Sequence, residues 1–273
     1  MGDSFELDSS ALPLHTVCVS GFYMDKYDVT KALWDEVYQW ATNRTAGVRC
    51  SFDYPGSGKA STHPVQTIDW YDCVKWCNAR SEKEGLAPAY YTDAGQGSVY
   101  RSGRTDVQND WVKWSSGYRL PTEAEWEKAA RGGAGGHRFP WGDTISWGQA
   151  NYYAIPGFGG YDVNATEGYN PAGTNGGSPY TSPVGTFAAN GYGLYDMAGN
   201  VWQWCWDWWG SYSSGSQSDP RGPALPTSSY RLFRGGKWGD RALHCQAACR
   251  GLSEPQNWGN GTMGFRSVLP QGQ

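Results

Sequence analysis

Hydrophobic positions along the chain form three helical stripes separated by long stretches without a period. After Thr30, the residues Leu33, Trp34, Val37, Tyr38 and Ala41 recur on one helical face, so the pattern predicts an amphipathic helix with Thr30 as N-cap. A second stripe follows Asp69, another good N-cap, and carries Tyr71, Val74 and Trp76 beside Cys73 and Cys77 before charges and Gly85 end it. The third is the most fully signalled. Thr122 at the N-cap and Glu125 three residues on form a capping box, Glu127 and Arg131 lie one turn apart on a surface-type pair, and Gly132 and Gly133 stop the helix.

Strand signals are fewer. Residues 14–29 alternate loosely, and 89–92 with 98–101 predict a hairpin around a Gly-rich turn. Trp202, Trp204, Trp206, Trp208 and Trp209 place five indoles in eight positions, as in a strand buried on both faces. Residues 44–67 and 211–229 are loop. Residues 134–180 are turn formers mixed with aromatics, which predicts ordered irregular structure. No repeat of fixed period is present.

Composition fits this outline. With 273 residues, 15% of them aromatic, 38 Gly and only 18% charged, the chain fits one large or two small domains in which rings lock down loops. The net charge of −4 comes without a basic block, which argues against nucleic acid as partner. No run approaches a membrane-spanning length, so no transmembrane segment is expected. A trimmed N-terminus would leave room for a lipid anchor. Seven Cys cannot all pair within one chain, and Cys73 and Cys77 one turn apart on a helix suit buried thiols better than a disulfide. The four His, at 15, 63, 137 and 244, lack metal-ligand spacing. Asn-x-Thr matches at Asn43, Asn164 and Asn260 are of the number chance gives in a polar chain.

The closing stretch carries the candidate chemistry. Gly235, Gly236 and Trp238 at one end, and Gly264, Phe265 and Arg266 at the other, read as a fixed frame, joined by Ala242 and Arg250. Between them side chains of unrelated chemistry follow one another without helical or strand period. The candidate ligand-binding residues are Gly239, Asp240, Arg241, Leu243, His244, Cys245, Cys249, Gly251, Leu252, Ser253, Asn257, Trp258, Gly259 and Gly261, within a segment of about 237–263. Arg and aromatic side chains are the ones that anchor interfaces. The run from Glu254 to Asn257 is like a sugar-binding Glu-Pro-Asn motif interrupted by Gln256, and the carboxylates for a calcium-dependent lectin site are missing.

Several fragments together resemble the formylglycine-generating-enzyme, or sulfatase-modifying-factor, family over nearly the whole chain. They are 21–30, 63–65, 118–127, 139–143, 190–202, 232–238 and 264–266. The resemblance implies a single domain, 1–273, of α+β, C-type-lectin-like fold with about three helices, small antiparallel sheets and much irregular loop. It also implies two thiols holding copper(I) for oxidation of a substrate cysteine. Counted from Gly236, those positions fall on Asp240 and Cys245, so one thiolate is missing and catalytic residues, metal ligands and cofactors are all expected to be absent. Iron-binding branches need several histidines that this chain lacks. A structural calcium of the family would involve Asp196, Gly199, Val201 and Gln203, where Gln203 replaces a Glu. The chain is most similar to a non-catalytic branch, the treponemal-type surface-lipoprotein variable proteins of diversity-generating retroelements. That implies a monomeric display protein on a bacterial cell surface, with an unknown protein or surface ligand as partner. The alternatives are a copper oxidase and an inactive accessory paralogue.

Overall fold

The computed structural model describes residues 1–273 except 6–8, 44–49, 225–227 and 273, so the start of the loop expected at 44–67, the Asn43 sequon's Thr45 and part of the 211–229 loop lie outside the described residues. Helices α1 (Lys31–Thr42), α2 (Trp70–Lys83) and α3 (Glu123–Arg131) fall where the stripes predict, and α4 is a single turn at Pro171–Thr174. Thr30 Oγ1 accepts from Leu33 N, Asp69 accepts from Asp72 N, and Thr122 and Glu125 close the capping box, while Gly132 ends α3 in the left-handed conformation. Among the described residues there are ten short strands: β1 (Val17–Cys18), β2 (Phe22–Met24), β3 (Tyr153–Ala154), β4 (Gly168–Tyr169), β5 (Trp202–Trp208), β6 (Gln217–Ser218), β7 (Arg231–Arg234), β8 (Arg250–Ser253), β9 (Met263–Gly264) and β10 (Val268–Pro270).

The main sheet runs β8-β7-β5-β9. β5 is buried along its full length, as the run of indoles predicts. Trp204 and Trp206 join Trp34, Trp70, Trp76 and Phe265 in the core under α1 and α2, while Trp126, Cys205 and Leu232 pack beneath α3 on the other side of the sheet. Pairing is mostly antiparallel, but β1 with β6 and β5 with β9 are parallel, which the expected antiparallel sheets did not include. The predicted hairpin is reduced to a single bridge, Tyr91 with Val99, while Tyr90 bridges to Val112 outside it. Residues 134–180 fold as ordered turns around Phe139, Ile145, Tyr152 and Tyr161.

Two expectations about charge and period change. Glu127 and Arg131 are no surface pair: Glu127 is 1% exposed and also meets Arg234 and Gly2 N. Residues 250–253, read as aperiodic, form strand β8 because Arg234, Phe233, Leu232 and Arg231 of β7 pair with them in register, and a neighbouring strand decides pairing where local pattern is silent.

Candidate functional site

The closing segment folds as two arms over the outer edge of the main sheet. The first starts at Gly235 and Gly236, both at positive φ (101° and 76°). A Cβ on Gly236 would lie 2.9 Å from both Cys245 Sγ and His244 O, so a side chain cannot enter there. Gly199 N donates to Gly235 O at 2.7 Å, Trp238 N to Asn200 O at 2.9 Å, and Trp238 Nε1 to Gly261 O at 3.0 Å. The Trp238 indole thus ties the two ends of the segment to each other. It also meets Tyr180 at 5.2 Å and Tyr169 at 5.8 Å.

From this clamp the chain passes through Gly239 and Asp240 into a 3-10 turn, Ala242–Cys245. Asp240 N donates to Lys237 O and Asp240 O accepts from Tyr153 N. Burial pushes the Asp240 carboxyl up, offset by Lys237 and His244 nearby. Arg241 is exposed, and Leu243 and His244 are half-buried, the His244 ring 6.1 Å from that of Trp202. The second arm is β8 and the loop after it. Leu252 is 39% and Trp258 37% exposed, and Asn257 is exposed with its amide donating to Ser253 Oγ at 2.7 Å. Tyr54 lies 5.9 Å from the Trp258 ring. Between the arms, Trp202 and Phe233 stack edge to face at 4.7 Å and form an aromatic floor.

Arg241, Leu252, Asn257 and Trp258 therefore carry exposed side chains, while Leu243 and His244 are half-buried, with His244 Nδ1 fully buried. Gly239, Asp240, Cys249, Gly251, Ser253 and Gly259 are half-buried. Gly251 is fixed from below, since a Cβ would meet the Phe233 ring at 2.0 Å. Two candidates do not belong on the face. Cys245 is 0% exposed, packed with Ala242 among Ile145, Tyr152 and Tyr161, and Gly261 is buried under Trp238. The turn from Ala242 to Cys245 puts its first and last residues inward, a spacing that sequence reading without a helical period could not resolve. Sequence reasoning also missed Tyr54, Trp202 and Phe233. Tyr54 lies about 200 positions upstream, so no local pattern links it to Trp258.

Buried arginines hold this edge from behind. Arg250 pairs with Glu123 through Nε at 2.6 Å and Nη2 at 2.9 Å, and Arg234 pairs with Glu127. Arg231 is sandwiched between Trp70 at 3.8 Å and Trp208 at 3.5 Å. Arg266 donates to Gln203 Oε1 at 2.8 Å and to Tyr195 O at 2.8 Å. A cavity of about 490 Å³ lies on the far side, lined by Glu123, Asp207, Trp208 and Tyr212, and takes only Arg250 from the segment.

The metals that the family resemblance implies do not fit these residues. For copper, Asp240 offers a hard oxygen where a thiolate is needed, and burial pushes the Cys245 thiol far above the range in which it ionises. For calcium, Gln203 Nε2 donates to Asp196 O at 2.8 Å, so an N–H occupies the carbonyl a cation would need. Gln203 Oε1 accepts from Trp126 Nε1 at 2.6 Å and from Arg266, whose charge already faces that turn. Burial also raises the Asp196 carboxyl toward its neutral form, a poor ligand for a hard cation.

Known proteins share this framework. The structure titled Treponema denticola variable protein 1 superimposes with a TM-score of 0.71 at 30% identity, covering 98% of this chain and 90% of its own. A formylglycine-generating enzyme of Thermomonospora curvata is 39% identical over 289 residues, 97% of this chain and 86% of that protein. Chaperone protein LppX of Paenibacillus barcinonensis is 32% identical over 249 residues, 87% of this chain and 76% of its own. The sulfatase-modifying factor enzyme 1-like domain model matches residues 1–270, and the chain belongs to that family.

Proposed function

We propose that this protein is a non-catalytic, surface-displayed binding protein whose segment 237–263 is diversified to change its ligand. The observation that carries this reading is the division of labour within the segment. Four exposed side chains of mixed chemistry, Arg241, Leu252, Asn257 and Trp258, with the half-buried Leu243 and His244 beside them, alternate with buried frame positions that the core holds in place. A scaffold that is rigid before binding loses little entropy when the ligand arrives, so a few exposed anchors supply the affinity. The Treponema variable protein with the same framework supports this reading. Asp240 in place of a thiol and the buried Cys245 speak against the oxidase known among its relatives. The ligand is a protein or other surface molecule met outside a bacterial cell, bound by a monomer.

The test is genomic and biochemical. Sequencing the flanking DNA is expected to find a near-identical repeat of the segment encoding 235–266 beside a reverse-transcriptase gene, with differences confined to codons of accessible positions. Absence of that repeat overturns diversification. Tight, stoichiometric copper(I) uptake by the purified chain, lost in Cys245→Ser, would overturn the non-catalytic reading.

A further inference from the structure

A separate group of charges lies at the start of α2. Asp53, Asp69 and Asp72 each offer a carboxylate oxygen within 4.8 Å of the others. Asp69 and Asp72 are 0% exposed, and Asp53 is exposed at the mouth. Asp72 is fully used: Oδ1 accepts from Asp53 N at 2.9 Å and faces Lys75 Nζ at 3.0 Å, and Oδ2 accepts from Tyr54 N at 2.8 Å. Asp69 Oδ1 caps the helix through Asp72 N at 2.8 Å. Its other oxygen, Oδ2, is buried and has no hydrogen-bond partner. That oxygen faces the mouth, where Arg104 Nη2 stands 3.6 Å away while Arg104 Nε binds Asp53 Oδ2 at 2.7 Å. Arg104 is 44% exposed, so its guanidinium has solvent to turn into.

The charges do not balance. Three carboxylates face two cations, Lys75 and Arg104, and Asp69 Oδ2 has no hydrogen bond and only the long 3.6 Å ion pair with an Arg104 that is shared with Asp53, which leaves the group one positive charge short. All the donors are oxygens with no His or Cys among them, which selects a hard ion over zinc or copper.

We propose that Asp53, Asp69 and Asp72 form a binding site for a hard divalent cation of the calcium type, for which Arg104 is the competing counter-charge. The unpartnered Asp69 Oδ2 and the Asp53 carboxylate supply the direct ligands at the mouth, water fills the remaining positions, and Asp72 balances charge from beneath. The site stands apart from the proposed function, but it bears on it. Tyr54 follows Asp53 directly, its ring meets Trp258, and Trp70 at the first turn of α2 donates to Pro255 O. An ion here stiffens the wall beside the accessible loop.

Terbium, a hard calcium analogue that Tyr and Trp sensitise, tests this on the purified chelator-treated chain, with calcium as the competitor. One saturable luminescent site displaced by calcium is expected. It should vanish in Asp69→Asn, which keeps the cap, weaken in Asp53→Asn at the exposed position, and persist in Asp196→Asn. Arg104→Gln should tighten calcium roughly fivefold, the upper range of one exposed ion pair. Absence of saturable uptake up to millimolar calcium, uptake unchanged in both Asp53→Asn and Asp69→Asn, or loss only in Asp196→Asn would each overturn the site. Should Asp69→Asn fail to fold, Asp53→Asn decides alone.

Discussion

Arg250 lies inside the accessible segment yet points away from it, its guanidinium clamped to both oxygens of Glu123. Its neighbour in sequence, Leu252, faces outward. Two side chains two positions apart thus differ, one held by the fold and one open to solvent. Arg250→Ala leaves Glu123 buried beside Asp207 with a partner lost, and is expected to cost about 3–5 kcal/mol in denaturant unfolding. Trp258→Ala, which loses mainly the contact with Tyr54, should change stability by no more than about 1 kcal/mol. With a ligand in hand, the same change should weaken binding by about 2 kcal/mol or more, as hot-spot aromatics do. Gly236→Ala combines a positive φ with a Cβ in contact with Cys245 and His244. It is expected to lower the unfolding midpoint by an amount equivalent to about 2 kcal/mol, read by thermal denaturation.

At the scale of elements, β5 and α3 are joined by a carboxyl group. Asp207 Oδ2 accepts from Glu123 N at 2.7 Å and so serves the first turn of α3 from the neighbouring strand. Burial, with Glu123 close by, pushes Asp207 up to about 8. The unfolded carboxyl titrates near ~3.9. The folded state therefore holds the proton more tightly than the unfolded one, and this group's stabilisation is complete below about pH 4 and lost as pH rises through about 8. Asp207→Asn can still accept from Glu123 N and has no charge to desolvate. Denaturant midpoints measured from pH 6 to 9 should fall with pH in the parent chain and fall less steeply in Asp207→Asn. Equal slopes would show that Asp207 is not the group responsible.

Taken whole, the molecule has a heavily cross-braced interior, and the proposed function makes one edge of it permissive. Buried indoles, together with the Arg231, Arg234, Arg250 and Arg266 side chains, brace the sheet that carries the segment. Replacing Arg241, Leu243, His244, Leu252, Asn257 and Trp258 together with other residues of similar size should leave far-ultraviolet and near-ultraviolet dichroism native, and the melting temperature within a few degrees. Broad loss of near-ultraviolet signal would mean that the edge is part of the core after all.

The sequence by itself determined the three helices, because caps and stripes such as Thr122 with Glu125 are local interactions that act within a turn or two of chain. It also located β5 through its indoles, the family through ordered fragments, and the frame from Gly235 to Arg266. Only the tertiary structure decided which residues between those clamps face outward. Cys245 and Gly261 turn in, Arg250, read as part of the frame, finds its partner in Glu123, and β8 exists because β7 lies beside it. The same holds for the partnership of Tyr54 with Trp258 and the meeting of Asp53 with Asp69 and Asp72. These contacts join residues far apart along the chain, and in irregular backbone no repeating geometry carries that information from one position to the next.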